Sequence, residues 1–598
     1  MRLLKRAAGD KDSGGAIHRM FSTAMGVFIL TSLVSVIGPT IDGIVVGSCY
    51  KLDEVAAIGL TSFLLVGIRT LAASIIGTGS NVVVSGLIGA GDKEGANRAF
   101  SLSLVLGLIV SSLMAFACIF FSGQIAVMLG ARGSLAHLMK PTSDYLIGYC
   151  IGLPFYTLHI ILLPYLKMDG DYSFVTFSTF AMTIVDILAD LYVVRFTSGG
   201  LFMIGLATTV GHVIAFLIAA SHFFLKKTIF RFSLKKLQMK QGTEMISSGL
   251  TTGITKLSTT VCGVLINNML VAYTAGEVIA AFGVGNQVLK FCFCFWVGAA
   301  STLMSFTSML VGEEDREALG SVQRIALKYS LRITCLAAIL IFAFSRPIAV
   351  LFVKNGDASV ISMAAESIRY FALSMPFNVA VYCFQFYLIG VRRRSAANIY
   401  SFVLEFGIPV PLTLLLLSVM GYRGVWVAKP IAGVICVLIA CGYIRRQKGG
   451  TYKEKMLMLP EGFGSETGRE LTFSVDSMTE VMGISRIAVA FSVENGIDLR
   501  RAQLLSLAVE EMAGNIVQHG FGDGKPHRIN IRMLAKGDGL ILRIRDDCRR
   551  FDPTDRYRTE LQFDQNPENG PAIKMMIRLA KEIKYTGLFG VNNLIIRV

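Results

Sequence analysis

The sequence predicts an α-helical polytopic membrane protein, with twelve transmembrane helices in two six-helix repeats and a C-terminal soluble α/β sandwich domain. Three observations predict it. Apolar residues make up 53% of the 598, charged residues only 16%, and the mean hydropathy is +0.60, where a soluble chain carries about 25% charge. Polar loop motifs recur at a fixed offset. Near residue 450 the long apolar runs stop, and short strands and helices begin to interleave.

A helix needs about 20 mainly apolar residues to cross a bilayer. Such runs lie roughly at 20–47, 55–85, 98–121, 143–167, 172–195, 199–225, 244–273, 278–311, 325–352, 362–390, 396–419 and 422–444. The basic N-terminus "MRLLKRAAGDKDSGG" leads into a full-length span, so no cleaved signal peptide is expected. Lys and Arg gather in alternate loops, at 91–98, 226–241, 316–328, 392–394 and 445–448. Basic loops resist translocation, which places both termini in the cytoplasm of a cell-membrane protein and requires an even number of spans.

"EVAAIG" at Glu54 and "EVIAAFG" at Glu277 lie 223 residues apart, as do "GAGDKE" at Gly89 and "GEEDRE" at Gly312. Two like halves, about 20–225 and 244–444, are the build of many secondary transporters, with the substrate path between them.

The net charge of +16 does not mean nucleic acid. From residue 452 onward there are 21 basic and 20 acidic residues, so the excess belongs to the loops of the membrane part. The 11 cysteines are scattered, many in apolar runs such as "KFCFCFW", and read as reduced, packed thiols.

Ionisable groups at bilayer depth are costly and mark cavities or partners. Asp42 follows Pro39 in "GPTIDGIVVG", and Asp186 and Asp190 in "TIVDILADLYVV" share one helix face. Three carboxylates in one half suit ion coupling. A carboxyl taken out of water holds its proton more tightly, and clustered oxygens suit Na⁺, so both H⁺ and Na⁺ stay open. The alternative for the Asp186–Asp190 pair is a place near a membrane surface, or pairing with Arg195. In the second half Lys256, Asn267, Asn268, Asn286, Gln287, Lys290, Asn378, Gln385 and Glu405 fall in or near spans, as cavity lining or as interhelical contacts.

"IDGIVVG", "LDEVAAIGL" and "GLIGAGDKEGANRA", with "DILADLYVV" before "SGGLFMIGLATTVGHV", resemble the MATE (multidrug and toxic compound extrusion) transporters over residues 1–445. That resemblance implies two six-helix bundles around a central cavity. It further implies exchange of small amphiphilic compounds for H⁺ or Na⁺, with Asp42 and Asp190 in the cation site. The family usually has Asn where this chain has Asp186.

After a linker at 446–468, residues 469–598 give a strand and a helix, then the helix "LAVEEMAGNIVQHG" with Glu511 and Asn515 four apart. The strands "HRINIRML" and "GLILRIRDD", a helix "NGPAIKMMIRLAKEI" and a last strand "NNLIIRV" follow. "LAVEEMAGNIVQHG" and "IRDDCRRFDP" resemble the GHKL (histidine-kinase-like) ATPase domains of the anti-sigma-factor serine kinase type. By that resemblance Glu511 polarises the attacking hydroxyl or water, Asn515 holds Mg²⁺ against the phosphates of ATP, Asp546 meets the adenine amino group, and Gly570 belongs to the lid. This chain departs from the family at Cys548, where the family has glycine, and at Pro571 and Ala572 after Gly570.

The leading expectation is an ion-coupled exporter with a cytosolic nucleotide-binding domain that senses nucleotide or meets a regulatory protein. The alternatives are a membrane-anchored signalling kinase or partner-binding module, and a lipid-linked flippase whose Lys256 and Lys290 meet an anionic head. An ATP-driven pump is disfavoured, because the sequence has no GxxxxGK[ST] loop.

Overall fold

The structure, a computed structural model, describes residues 21–34, 52–129, 131, 133–197, 200–226, 228–233, 237–273, 276–352, 358–447, 451–459, 463, 469–521, 527–536, 539–548, 580–588 and 591–598. The first half comprises α1 (Phe21–Val34), α2 (Leu52–Gly89), α3 (Lys93–Phe120), α4 (Ser122–Met128), α5 (Met139–Cys150), α6 (Leu153–Met168), α7 (Tyr172–Phe196) and α8 (Gly200–Leu225). The second comprises α9 (Met239–Tyr273), α10 (Gly276–Gly312), α11 (Arg316–Ala343), α12 (Ser345–Phe352), α13 (Ala358–Gly390), α14 (Arg394–Phe402), α15 (Pro409–Met420) and α16 (Tyr422–Arg445).

Among the described residues ten helical stretches are long and apolar enough to cross a membrane, and α5 with α6 makes an eleventh, bent by 42°. Pro154 at the start of α6 cannot donate to the turn before it, which accounts for the bend. The described α1 falls within the first expected span, and the later part of that run lies outside the described residues.

The 223-residue repeat has a structural counterpart. Four connections on one side of the bundle turn through a single left-handed residue, Gly91 (φ +79°), Gly170 (+80°), Glu314 (+54°) and Arg392 (+61°). In each, the next amide donates five residues back: Asp92 to Leu87, Asp171 to Leu166, Asp315 to Leu310 and Arg393 to Leu388, at 2.8–3.0 Å. This closes the orphan carbonyls of the ending helix. The carboxylates of Asp92, Asp171 and Asp315 then cap the helix that follows. Gly91 and Glu314 are repeat partners, so the second half places a glutamate where the first has glycine.

On the same side, α2 of the first half crosses α10 of the second at backbone contact. A Cβ on Gly89 would lie 2.1 Å from the Met309 carbonyl oxygen, and one on Gly312 the same distance from that of Gly86. The two contacts are related by the repeat offset. The halves are therefore closed against each other at this end.

The range expected as linker contains a short helix, α17 (Tyr452–Leu457), with a Thr451–Glu454 capping box. It packs on the second half: the Tyr387 hydroxyl donates to the Leu457 carbonyl (2.8 Å), and Arg393 donates to that of Met458.

The tail is a five-stranded antiparallel sheet, in the order β1-β2-β3-β5-β4, with two helices on one face. Its elements are β1 (Glu470–Val475), α18 (Met478–Glu494), α19 (Leu499–Asn515), β2 (Ile529–Lys536), β3 (Gly539–Asp546), β4 (Glu582–Leu588) and β5 (Val591–Arg597). β4 corrects the expected helix, which was to run to Ile583: Glu582 and Ile583 are in a strand. Residues 569–579 of that helix, Gly570 included, lie outside the described residues. Leu471, Phe473, Ile531, Met533, Leu542, Ile544, Leu594 and Ile596 face the helices as one apolar core. The alternate positions form the other face, with Arg532 opposite Arg543, and Arg545 opposite Asn593.

Candidate functional site

α7 carries its polar residues on one side. Thr179, Thr183, Asp186 and Asp190 are buried, whereas Phe177, Ile184, Leu188 and Tyr192 are exposed on the outer surface. Phenyl and alkyl groups therefore meet lipid, and the carboxylates point into the first half. Asp190 is 2% exposed, and its Oδ1 has no hydrogen-bond donor among the described residues. Asp186 is 9% exposed. A Cβ on Gly211 would lie 3.3 Å from Asp186 Cβ and 3.0 Å from the Met182 carbonyl, so α8 comes close to α7 only because residue 211 is glycine. Both aspartates are buried inside the protein, while Arg195 near the end of α7 is exposed.

A cation lies near Asp186. Arg69 of α2 bonds Tyr149, interacts electrostatically with Asp186, and lies 4.9 Å from the Tyr156 ring centroid. The His212 ring packs on Tyr156 and Tyr149 at 4.9 and 5.8 Å, and His159 meets Ser178 at 3.2 Å. Sequence reasoning did not single out Arg69, His159 or His212. The readable signal was a lone charge or imidazole inside an apolar run, the same signal that marked the aspartates. Asp42 lies outside the described residues.

The second half has its own polar centre. Between α14 and α15 the helix opens into a π turn, Val403–Gly407, because Pro409 and Pro411 supply no amide to the turn above. Glu405 sits in that turn. It accepts from Thr259 at 2.9 Å and from the Tyr382 hydroxyl. Lys256, one turn before Thr259 on α9, interacts with Glu405 and lies 5.2 Å from the Phe293 ring. Gln385 donates to Thr255 and Ser401 at 2.7 and 2.6 Å. Of the nine polar residues noted in this half, Lys256, Gln385 and Glu405 come together. Lys290 and Asn268 are exposed, and Asn378 bonds within its own helix.

In the tail, Glu511 and Asn515 lie in the last turn of α19, both half-buried and one turn apart. A π turn, Ile516–Gly520, continues from Asn515. Asp546 ends β3 at 4% exposure, and its Oδ1 accepts from Asn592 Nδ2 (2.7 Å) and the Cys548 amide (3.0 Å). Burial pushes this carboxyl up, and the bonds from Asn592 and Cys548 pull it only part of the way back. Cys548 needs no left-handed backbone, and a Cβ on Gly520 would lie 2.9 Å from its sulfur. The side chain that replaces the family glycine thus fills space left by a glycine on the facing turn. A buried acceptor at the end of a strand suits the amino group of a purine, and a carboxylate and an amide at a helix end suit Mg²⁺–phosphate.

The sequence matches the MatE family model over residues 28–191 and 251–415, two segments whose starts are again 223 apart. Residues 476–597 match the model of the histidine kinase-like ATPase domain. The chain is 23% identical over 431 residues to multidrug export protein MepA of Staphylococcus saprophyticus, covering 71% of this chain and 92% of that protein. It is 20% identical over 449 residues to probable multidrug resistance protein YoeA of Bacillus subtilis, covering 73% and 95%. A solved structure of the outward-facing conformation of a multidrug resistance MATE family transporter of the MOP superfamily superposes with a TM-score of 0.67. It is 20% identical and covers 72% of this chain and 95% of that one, which shows the fold.

Proposed function

The chain belongs to the MatE family, and on that premise we propose that it is a multi-pass, secondary active exporter of small amphiphilic compounds. It exchanges them for H⁺ or Na⁺, and the basic loops and the tail face the cytoplasm. The observation that carries the reading is the buried Asp186–Asp190 face of α7, with an unsatisfied oxygen on Asp190 among the described residues. An interior carboxylate without a donor gains from taking up a proton or a hard cation, and loading and release can then bias two packings of the halves. In this reading Asp42 and Asp190 form the cation site and Asp186 adjoins it.

The tail is read as a nucleotide-responsive regulatory domain. Asp546 would take the adenine amino group of ATP and Asn515 would hold Mg²⁺, which offsets phosphate charge when bound. In this reading Glu511 would serve as the general base for phosphoryl transfer. By the family resemblance Gly570 would belong to the lid. Nothing observed at Lys256 favours the flippase alternative, since its charge is met by Glu405 and Phe293.

The test is dye export by the full chain in inverted vesicles, driven in turn by a pH gradient and by a Na⁺ gradient. One gradient should drive export, and D190N and D42N should each reduce it to the level of empty vesicles. Undiminished export by both variants would refute the coupling mechanism.

A further inference from the structure

The face of the tail sheet that its own helices leave open is not exposed to solvent. Arg532, Arg543, Arg545 and Asn593 on that face are 3–8% exposed, because the bundle covers them. The covering segment is the left-handed turn at Glu313–Asp315, between α10 and α11. Asn593 donates to Glu313 Oε1 (2.9 Å), Arg543 pairs with Glu313 Oε2 at 3.2 Å, and Arg545 pairs with both Glu313 and Asp315 (2.9 Å to the latter). Arg532 donates to the Glu313 and Glu314 carbonyls at 3.2 and 2.9 Å. Burial alone would push the Asp315 carboxyl up, but Arg545 and Arg532 outweigh it and hold it at about 2.

The same sheet reaches the equivalent turn of the other half. A Cβ on Gly91 would lie 2.7 Å from Lys584 Cδ and 3.5 Å from Ile595 Cδ1, and the Lys93 ammonium is 5.7 Å from the Tyr585 ring. One rigid sheet thus touches repeat-related turns of both halves, held by charge on one and by close packing on the other.

Alternating access rocks one half against the other about the central site. Opening the tail side must separate the 91 turn from the 314 turn, and the sheet lies across both. The buried ion pairs lie at the 314 turn, so the tail would travel with the second half and release the first. We infer that the open face of the tail sheet is a clamp across the two repeat-related turns, and that it holds the tail side of the transporter closed. Arg543 and Arg545 are its positioning residues.

The test uses spin labels at positions 94 and 317, an exposed pair that are themselves 223 apart, in the full chain in lipid nanodiscs. The native chain should give a single short distance. R543E/R545E should add a longer-distance population, and combining it with E313R/D315R should remove that population by restoring opposite charges across the contact. An unchanged distribution in R543E/R545E overturns the clamp. So does a longer population that the charge swap fails to remove, since that would report damage within the tail. The inference rests on the alternating-access reading, and the native chain separates the two failures. A 94–317 distance that responds to pH or Na⁺ equally in native and variant chains overturns the clamp and leaves the exporter standing. A distance that responds to nothing overturns both.

Discussion

Asp315 caps the first turn of α11 through the Ala318 amide at 2.9 Å and receives the Arg545 guanidinium at the same distance. One carboxylate therefore ends a turn of the bundle and holds the tail. Asparagine caps helices about as well as aspartate, so D315N separates the two roles. The helix should stay intact while Arg545 loses a counter-charge, at a cost of about 3 kcal/mol, the low end for a broken buried pair because Glu313 remains beside it. Hydrogen exchange in β3 and the 312–316 turn should rise, with α11 unchanged.

The low carboxyl value of Asp315 gives docking a pH dependence of known sign. The folded value, about 2, lies below the ordinary aspartate value of about 3.9. Its stabilisation is fully present above pH ~4 and is lost as pH falls toward 2, roughly 2.6 kcal/mol in all. Acid titration of the exchange protection at 312–316 should show this loss in the native chain and not in D315N.

G89A and G312A should be damaging to a similar degree. Each places a methyl carbon 2.1 Å from a carbonyl oxygen of the opposite half, and such overpacking costs about 1–3 kcal/mol or more. Thermal unfolding in detergent would show the equivalence, and a neutral result at either glycine would deny the close crossing of α2 and α10.

D186N and D190N should differ. The family pattern has asparagine at the first position, so D186N should retain export with fewer ions exchanged per cycle, whereas D190N should abolish it. Paired measurement of ion flux and dye flux gives the stoichiometry.

Nucleotide binding to the full chain should depend on Asp546. D546N removes the acceptor for the adenine amino group and should weaken ATP by roughly tenfold, the size of a hydrogen bond of about 1.5 kcal/mol to a charged group. The buried carboxyl takes up its proton at higher pH than an ordinary one. ATP affinity should therefore fall on acidification before pH ~4, where an exposed aspartate would begin to titrate. Calorimetry across pH would test both.

Hydropathy made the spans legible, and the offset between Glu54 and Glu277 made the halves legible, because both signals are local in the chain. The turns at Glu314 and Arg392 were not, since neither residue type advertises a left-handed backbone. β4 was hidden because Lys581 and Glu582 read as the continuation of a helix, although Ile583 and Tyr585 already alternate toward the core. Asp186 and Asp190 could be read as ionisable groups within a span, yet Arg69, more than a hundred residues earlier, could be joined to Asp186 only by the packing of α2. Arg543 and Arg545 alternate with apolar residues along a strand, a pattern that names no partner. Their partners, Glu313 and Asp315, lie about 230 residues away, a distance over which sequence pattern carries no pairing information.

The docking of α17 has a further consequence. With Leu457 and Met458 fixed on Tyr387 and Arg393, the chain between Met458 and β1 at Glu470 is a short leash. A tether of so few residues sets an effective concentration in the millimolar range. A tail that lets go would be recaptured in place, whereas the same domain supplied as a separate polypeptide would have to find the transporter by diffusion. Lengthening the 459–469 spacer would thus weaken the attachment without altering a single contact.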